Sequence, residues 1–197
     1  MVFDENNGKL VLITGALAIE DSLDDPLYGI KIRAVKMKKR IQMYQWYETA
    51  DQKEVAEGEH DGHTSYSYAK DWFDQRIDSE RFQNTMGHHN PESWPYNSSV
   101  KTNQRVKIGG FLMGKDIKKK FQEYVHFTSD ERPEDRSIKM HGGLYFHAND
   151  VWQPDVGDMR VHFSYAGKDG DLVNILCSCF NRWNDFDPTK IVRINSH

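Results

Sequence analysis

Apolar residues recur at every second position through much of this chain, the period of a half-buried β-strand. In DMRVHFSYA, Met159, Val161, Phe163 and Tyr165 alternate with Arg160, His162 and Ser164. The first set is expected to face a core and the second to face solvent or a partner. LVLITGALAI, residues 10–19, opens the fold as a strongly apolar strand. The stretch IKIRAVKMKKRIQMYQWYET is apolar at Ile30, Ile32 and Ala34, then shifts by one to Val35, Met37, Ile41 and Met43. Such a phase change predicts a β-bulge. TSYSYAKDWFDQR resumes the alternation with Tyr66, Tyr68 and Trp72 on one side. It pairs with the preceding strand as a long hairpin across the charged loop ADQKEVAEGEHDGH.

RVKIGGFLMG, MHGGLYFHA, DLVNILCSCF and KIVRI each read as a further strand. DIKKKFQEYV predicts a helix with Ile117, Phe121 and Val125 on one face and its lysines on the other. DSERFQNTM predicts a short helix capped by Asp78 or Ser79. GHHNPESWPYNSS reads as irregular loop, because Pro91 and Pro95 interrupt any ladder. The expectation is a mainly β (α+β) domain, an antiparallel sheet or sandwich with long hairpins and two or so short helices. It would span residues 1–197 as a single domain, with 78–128 as a more irregular, partly helical insert.

Composition narrows the function classes. Acidic residues outnumber basic ones, 30 to 26, which argues against a general nucleic-acid binder. The longest uncharged runs have ten residues, half of what a membrane-spanning helix needs (about 20), and MVFDENNGK lacks the basic start and apolar centre of a signal peptide. Cys177 and Cys179 form a C-x-C with no second cysteine pair, so they read as free thiols rather than zinc ligands.

Nine histidines raise metal chemistry. His60 and His63 lie in the acidic loop, His88 and His89 are adjacent, and His141 sits on a late strand. No ligand motif joins them, so they are weak metal candidates, and no cofactor is expected. Asp169 and Asp171 flank Gly170 as a turn. No nucleophile elbow or phosphate loop occurs, and no catalytic residue is assigned. The basic runs Lys36, Lys38, Lys39, Arg40 and Lys115, Lys118, Lys119, Lys120 read as solvated faces, with anionic lipid headgroups as the other contact they could make.

Three functional readings follow. The first is a binding or structural module with interaction candidates Trp94, Tyr96 and Trp152. The second is a carrier of lipid or another apolar ligand lined by Tyr66, Tyr68, Phe163 and Tyr165. The third is a metal-dependent hydrolase built on His88, His89 and His141. Asn97-Ser98-Ser99 is a glycosylation sequon.

Several stretches together resemble one family: GKLVLITGAL, DPLYGIKIRAVKMKKRIQMYQWYET, YSYAKDW, MGHHNP, VKIGGFLMG and VGDMRVHFSYAG. In the same order they resemble the large luminal segment of the transmembrane protein 43 (LUMA) family. The resemblance implies the soluble part of a membrane-anchored protein, facing the endoplasmic reticulum lumen or perinuclear space. It implies membrane protein partners of the nuclear envelope and reticulum, emerin-like or lamina-associated, with self-association and a nearby membrane that this stretch does not span. It carries over no catalytic residue. It gives the sequon at Asn97 access to the glycosylation machinery. The C-x-C departs from the family pattern.

Overall fold

A computed structural model describes residues 9–52, 64–178 and 194–196. Its strands are β1 (Leu10–Ile19), β2 (Leu23–Asp25), β3 (Ile30–Ile32), β4 (Ala34–Gln52), β5 (Thr64–Phe73), β6 (Ser99–Thr102), β7 (Val106–Ile108) and β8 (Phe111–Leu112). After the helix α1 (Lys115–Lys119) come β9 (Val125–Phe127), β10 (Lys139–His141), β11 (Leu144–His147), β12 (Met159–Lys168), β13 (Leu172–Ser178) and β14 (Ile194–Ser196). The protein is mainly β with antiparallel sheets, as the alternation predicts. The chain divides into two compact units, and β4 and β12 each give residues to both.

The first unit comprises residues 1–39, 99–135 and 162–197. Its principal sheet has the order β14-β13-β1-β7-β8. The two uncharged runs of the sequence are neighbours in it, with Leu12 opposite Leu176 and Ala16 opposite Leu172. Leu17, Ile19, Val35, Val106, Ile108, Ile117, Phe121, Ala166 and Ile175 build its core. Nearby, Tyr28 and Phe163 are fully buried with ring centroids 5.3 Å apart. The Asp169-Gly170-Asp171 turn is confirmed: the Asp171 carboxylate closes it by accepting from Lys168 N–H (2.7 Å), and the Asp169 carboxylate ties it to β1 by accepting from Ile19 N–H (2.8 Å).

The second unit comprises residues 40–98 and 136–161. Here the strand order is β10-β11-β12-β4-β5, and β4 and β5 form the expected long hairpin, ten residue pairs in unbroken register from Met43↔Phe73 to Gln52↔Thr64. Ile41, Met43, Tyr145, Phe146, Met159 and Val161 are buried in it.

Several local expectations are corrected. The phase change after Ile32 is a strand break at Arg33 rather than a bulge within one strand. MHGGLYFHA is a hairpin, β10–β11, because Gly142 and Gly143 both take positive φ (56° and 79°), as a tight two-residue turn requires. RVKIGGFLMG likewise folds back at Gly109-Gly110 into β7 and β8. The 116–125 helix shrinks to five residues: Ile117 and Phe121 are buried as predicted, but Val125 is exposed and belongs to β9, opposite Tyr165. The predicted 78–86 helix is a single 3-10 turn, Ser79–Arg81, with the Asp78 carboxylate accepting from Glu80 N–H. In β12 the alternation holds through Phe163, then Ser164 and Ala166 are buried and Tyr165 is half-buried. Both faces of the strand are covered there.

The basic runs are not simply solvated faces. Lys36 and Lys118 are buried. The Lys36 ammonium donates to the carbonyls of Lys119 (2.9 Å) and Phe121 (3.1 Å). It thereby satisfies the carbonyl of the last residue of α1 and one just beyond it, and helps end the helix. Lys118 donates to the Gln104 carbonyl at 2.7 Å. Burial pushes both amines below the ordinary lysine range. Lys39 pairs with Asp25 at 2.9 Å. Three of the eight cations are therefore committed to holding the first unit together.

Candidate functional site

A gathering of polar and aromatic side chains lies on the second unit's β4–β5 hairpin. Along β4, Tyr44, Trp46 and Glu48 alternate with Met43, Gln45 and Tyr47, so the two sets take opposite faces. Register sets Tyr44, Trp46 and Glu48 opposite Trp72, Lys70 and Tyr68. The Lys70 ammonium stands 4.9 Å from the Trp46 ring centre, and the Tyr44 and Trp72 centroids are 5.3 Å apart.

Arg160 joins this face. Its guanidinium lies 4.8 Å from the Trp72 ring centre and donates to Gln42 Oε1 at 2.9 Å. Burial pushes it below the usual arginine value. The sequence expectation of a solvent- or partner-facing Arg160 gives way to a half-buried cation stacked on an aromatic ring. His162 belongs to the first unit, where its ring lies 5.3 Å from that of His126.

At the far end, Tyr68, Glu48 and His88 form a hub. The Tyr68 hydroxyl donates to Glu48 Oε2 (2.7 Å) and accepts from Asn84 N–H (2.8 Å). Gln83 N–H donates to the same Glu48 oxygen at 2.6 Å. Burial, then the Glu48 hydrogen bond, push the Tyr68 hydroxyl above the ordinary tyrosine range. The His88 ring stacks on Tyr68 (4.0 Å, 13°) and meets Trp46 edge-on (4.7 Å). Its Nδ1 faces the Asn84 carbonyl at 3.0 Å, so Nδ1 carries the proton.

Two amide side chains fasten the 75–90 segment to this hairpin. Asn90 pairs with Trp46 as a strand would: Trp46 N–H donates to Asn90 Oδ1 (2.8 Å), and Asn90 Nδ2 donates to the Trp46 carbonyl (2.9 Å). Gln45 is fully buried and donates to the Gln75 carbonyl (3.0 Å) while accepting from Ile77 N–H (2.9 Å). The chemistry of the cluster is therefore backbone satisfaction, with ring stacking above it. Tyr68→Phe is expected to loosen the 83–88 segment, read as faster amide exchange at Gln83 and Asn84 than in the parent protein.

The other candidates are scattered. Trp152 is 74% exposed, with His141 edge-on to it at 4.4 Å. Tyr96 stacks on His147 at 4.5 Å. Trp94 is half-buried, and its indole N–H is buried without a hydrogen-bond partner. His89 and Asn97 are exposed. His60, His63 and Cys179 lie outside the described residues, and Cys177 is in β13. His88 is held by Tyr68, Trp46 and Asn84 while His141 packs on Trp152. Among the described residues no three His, Cys, Asp or Glu side chains gather where a metal ion could sit. Tyr66 and Tyr68 belong to the second unit, whereas Phe163 and Tyr165 belong to the first, and Phe163 is fully buried against Tyr28. In the first unit a small apolar hollow is bordered by Ile13, Ile108, Phe111 and Met113. Sequence reasoning named Tyr68 and His88 for other roles and missed Glu48, Gln45 and Asn90. The available signal was a polar amide inside an apolar strand.

Residues 43–179 match the family model described as transmembrane protein 43. The chain belongs to the transmembrane protein 43 family. It is 39% identical over 172 residues to the transmembrane protein 43 homolog of Drosophila melanogaster, a match covering 86% of this chain and 46% of the fly protein. To human transmembrane protein 43 it is 36% identical over 172 residues, covering 86% and 43% of the two chains. The chain thus spans less than half the length of these relatives. No solved structure matches it. No described helix is long and apolar enough to cross a membrane. In this transmembrane protein 43 family chain, the stretches M-Y-Q-W and M-G-H-H-N-P are where Trp46, His88 and Asn90 meet.

Proposed function

We propose that this chain is a non-enzymatic interaction module of a transmembrane protein 43 family protein. It would face the endoplasmic reticulum lumen or perinuclear space and help organise membrane protein complexes with emerin-like or lamina-associated partners. One observation carries this reading: the groups best suited to acid–base chemistry, Glu48, Tyr68 and His88, are spent on the backbone of residues 83–84 and on ring stacking. A fixed β surface with an exposed Trp152 beside His141 suits recognition, since aromatic anchors dominate interface energetics.

The sequon provides the test. Asn97 and Ser99 are exposed at the start of β6, while Ser98 Oγ accepts from Ile41 N–H at 2.9 Å. The full-length protein expressed in cells is expected to carry an endoglycosidase-sensitive glycan that Asn97→Gln removes. In permeabilised cells with intact internal membranes, the segment should resist added protease. Protease sensitivity together with an absent glycan would overturn the luminal placement. Proximity labelling from the same segment should mark envelope and reticulum membrane proteins, less so in Trp152→Ala.

A further inference from the structure

The outer edge of β5 is open, and its geometry follows from the bonds on β4. Tyr44 N–H donates to the Asp158 carbonyl and its own carbonyl accepts from Gly157 N–H, both at 2.9 Å. Trp46 turns both backbone groups to Asn90. The even residues of β4 therefore point away from β5, and the odd ones toward it. Gln45↔Asp71, Tyr47↔Ala69 and Thr49↔Ser67 are then the hydrogen-bonded pairs. Across the strand, the backbone groups of Tyr66, Tyr68 and Lys70 point outward, while the Trp72 carbonyl accepts from Gln42 Nε2 of β4 at 3.5 Å. Trp72 N–H is closed by the Asp71 carboxylate at 2.7 Å. No described strand other than β4 pairs with β5, which leaves the run from Thr64 to Lys70 open.

Natural edges are usually blunted by shortness, proline, a bulge or central charge. This one is ten residues long, has no proline and keeps unbroken register. Its charges, Lys70 and Asp71, sit toward one end. We infer that the β5 edge is a strand-addition surface for a second copy of this chain, paired antiparallel through residues 64–70. The occupant follows from self-complementarity. A two-fold axis at Ser67 pairs every open backbone group in the run. It sets Tyr66 opposite the partner copy's Tyr68, Thr64 opposite Lys70 and Ser65 opposite Ala69. No like charges meet, and aromatic rings pair on one face. Registers centred on Lys70 or Asp71 would oppose like charges instead, which is destabilising. On the other face, Ser65, Ser67 and Ala69 are small and let the copies approach. This inference is independent of the luminal reading.

The centre of the register supplies its own test. Ser67 meets its copy across a non-hydrogen-bonded pair, where side chains are nearest. Sedimentation of the 197-residue chain at up to about 100 μM should show a monomer–dimer equilibrium. Ser67→Lys and Ser67→Glu should each weaken it by about tenfold or more, and an equimolar mixture of the two should restore it. The restored dimer doubles as evidence that both variants fold. Tyr66→Pro removes an outward N–H without touching the β4 ladder and should also give monomer. A chain monomeric throughout that range overturns the inference. So does a dimer indifferent to Ser67→Lys and Ser67→Glu, or an edge that captures an extended segment of another protein while the chain itself stays monomeric.

Discussion

Gly167→Ala is expected to destabilise the first unit by about 2–5 kcal/mol, the sum of a left-handed backbone cost and overpacking. Gly167 adopts φ +66° within β12, and a methyl built on it would stand 2.7 Å from Phe121 Cδ1 and 2.9 Å from Val35 Cγ2. Both neighbours belong to the core, so neither can swing into solvent. Gly170→Ala is the matched control: φ is +89°, but nothing lies within 4 Å of the added carbon. It should show only the backbone cost, about 1–2 kcal/mol. Urea unfolding of the two variants separates the causes. Equal losses would mean that Phe121 and Val35 relax freely and that packing at Gly167 does not matter.

That glycine ends the stretch V-G-D-M-R-V-H-F-S-Y-A-G, which is conspicuous in the sequence although its reason is not. The strands were legible because alternation is local: Met159, Val161 and Phe163 announce their face within five residues. The β4–β5 hairpin was legible for the same reason. What failed depends on neighbours far along the chain. Lys36 looks like one more solvated lysine until it reaches the carbonyls of Lys119 and Phe121, 83 and 85 residues away. Glycine pairs inside apolar runs, Gly109-Gly110 and Gly142-Gly143, hid two turns, since composition there still favours a strand. The helix predicted through Val125 followed a real apolar spacing. Yet the Lys36 bonds end α1, and β12 offers an edge on which Val125 pairs with Tyr165. The site was legible in part. Tyr68 and Trp72 were placed on one face correctly. Asn90, 44 residues from its partner Trp46, carries no periodic signal at all.

Gln45 is the sharpest case of such a hidden role, and replacing it should have an effect comparable to that at Gly167. Gln45→Met keeps the length of the side chain and its burial but removes both hydrogen bonds. It leaves the Ile77 N–H and the Gln75 carbonyl without their partner. An unsatisfied buried backbone group costs about 1–3 kcal/mol; Ile77 is half-buried and Gln75 exposed, so the loss falls mainly on the Ile77 N–H and the second unit should lose about 1–3 kcal/mol. Gln45→Glu separates hydrogen bonding from packing. A protonated carboxyl can still donate to Gln75 and accept from Ile77 N–H, whereas an ionised one cannot donate and would be a buried charge. Burial raises a carboxyl pKa above its unfolded value of about 4.3. A raised folded pKa gives stability that is present below the unfolded value and lost as pH rises through the folded one. Gln45→Glu should therefore be more stable than Gln45→Met near pH 4 and lose that advantage by pH 8. Urea midpoints for both variants, compared at each pH, read the difference directly and cancel the titration of groups they share. Two variants that track each other across this range would show that the amide fills space at position 45 and does not fasten the 75–77 backbone to β4.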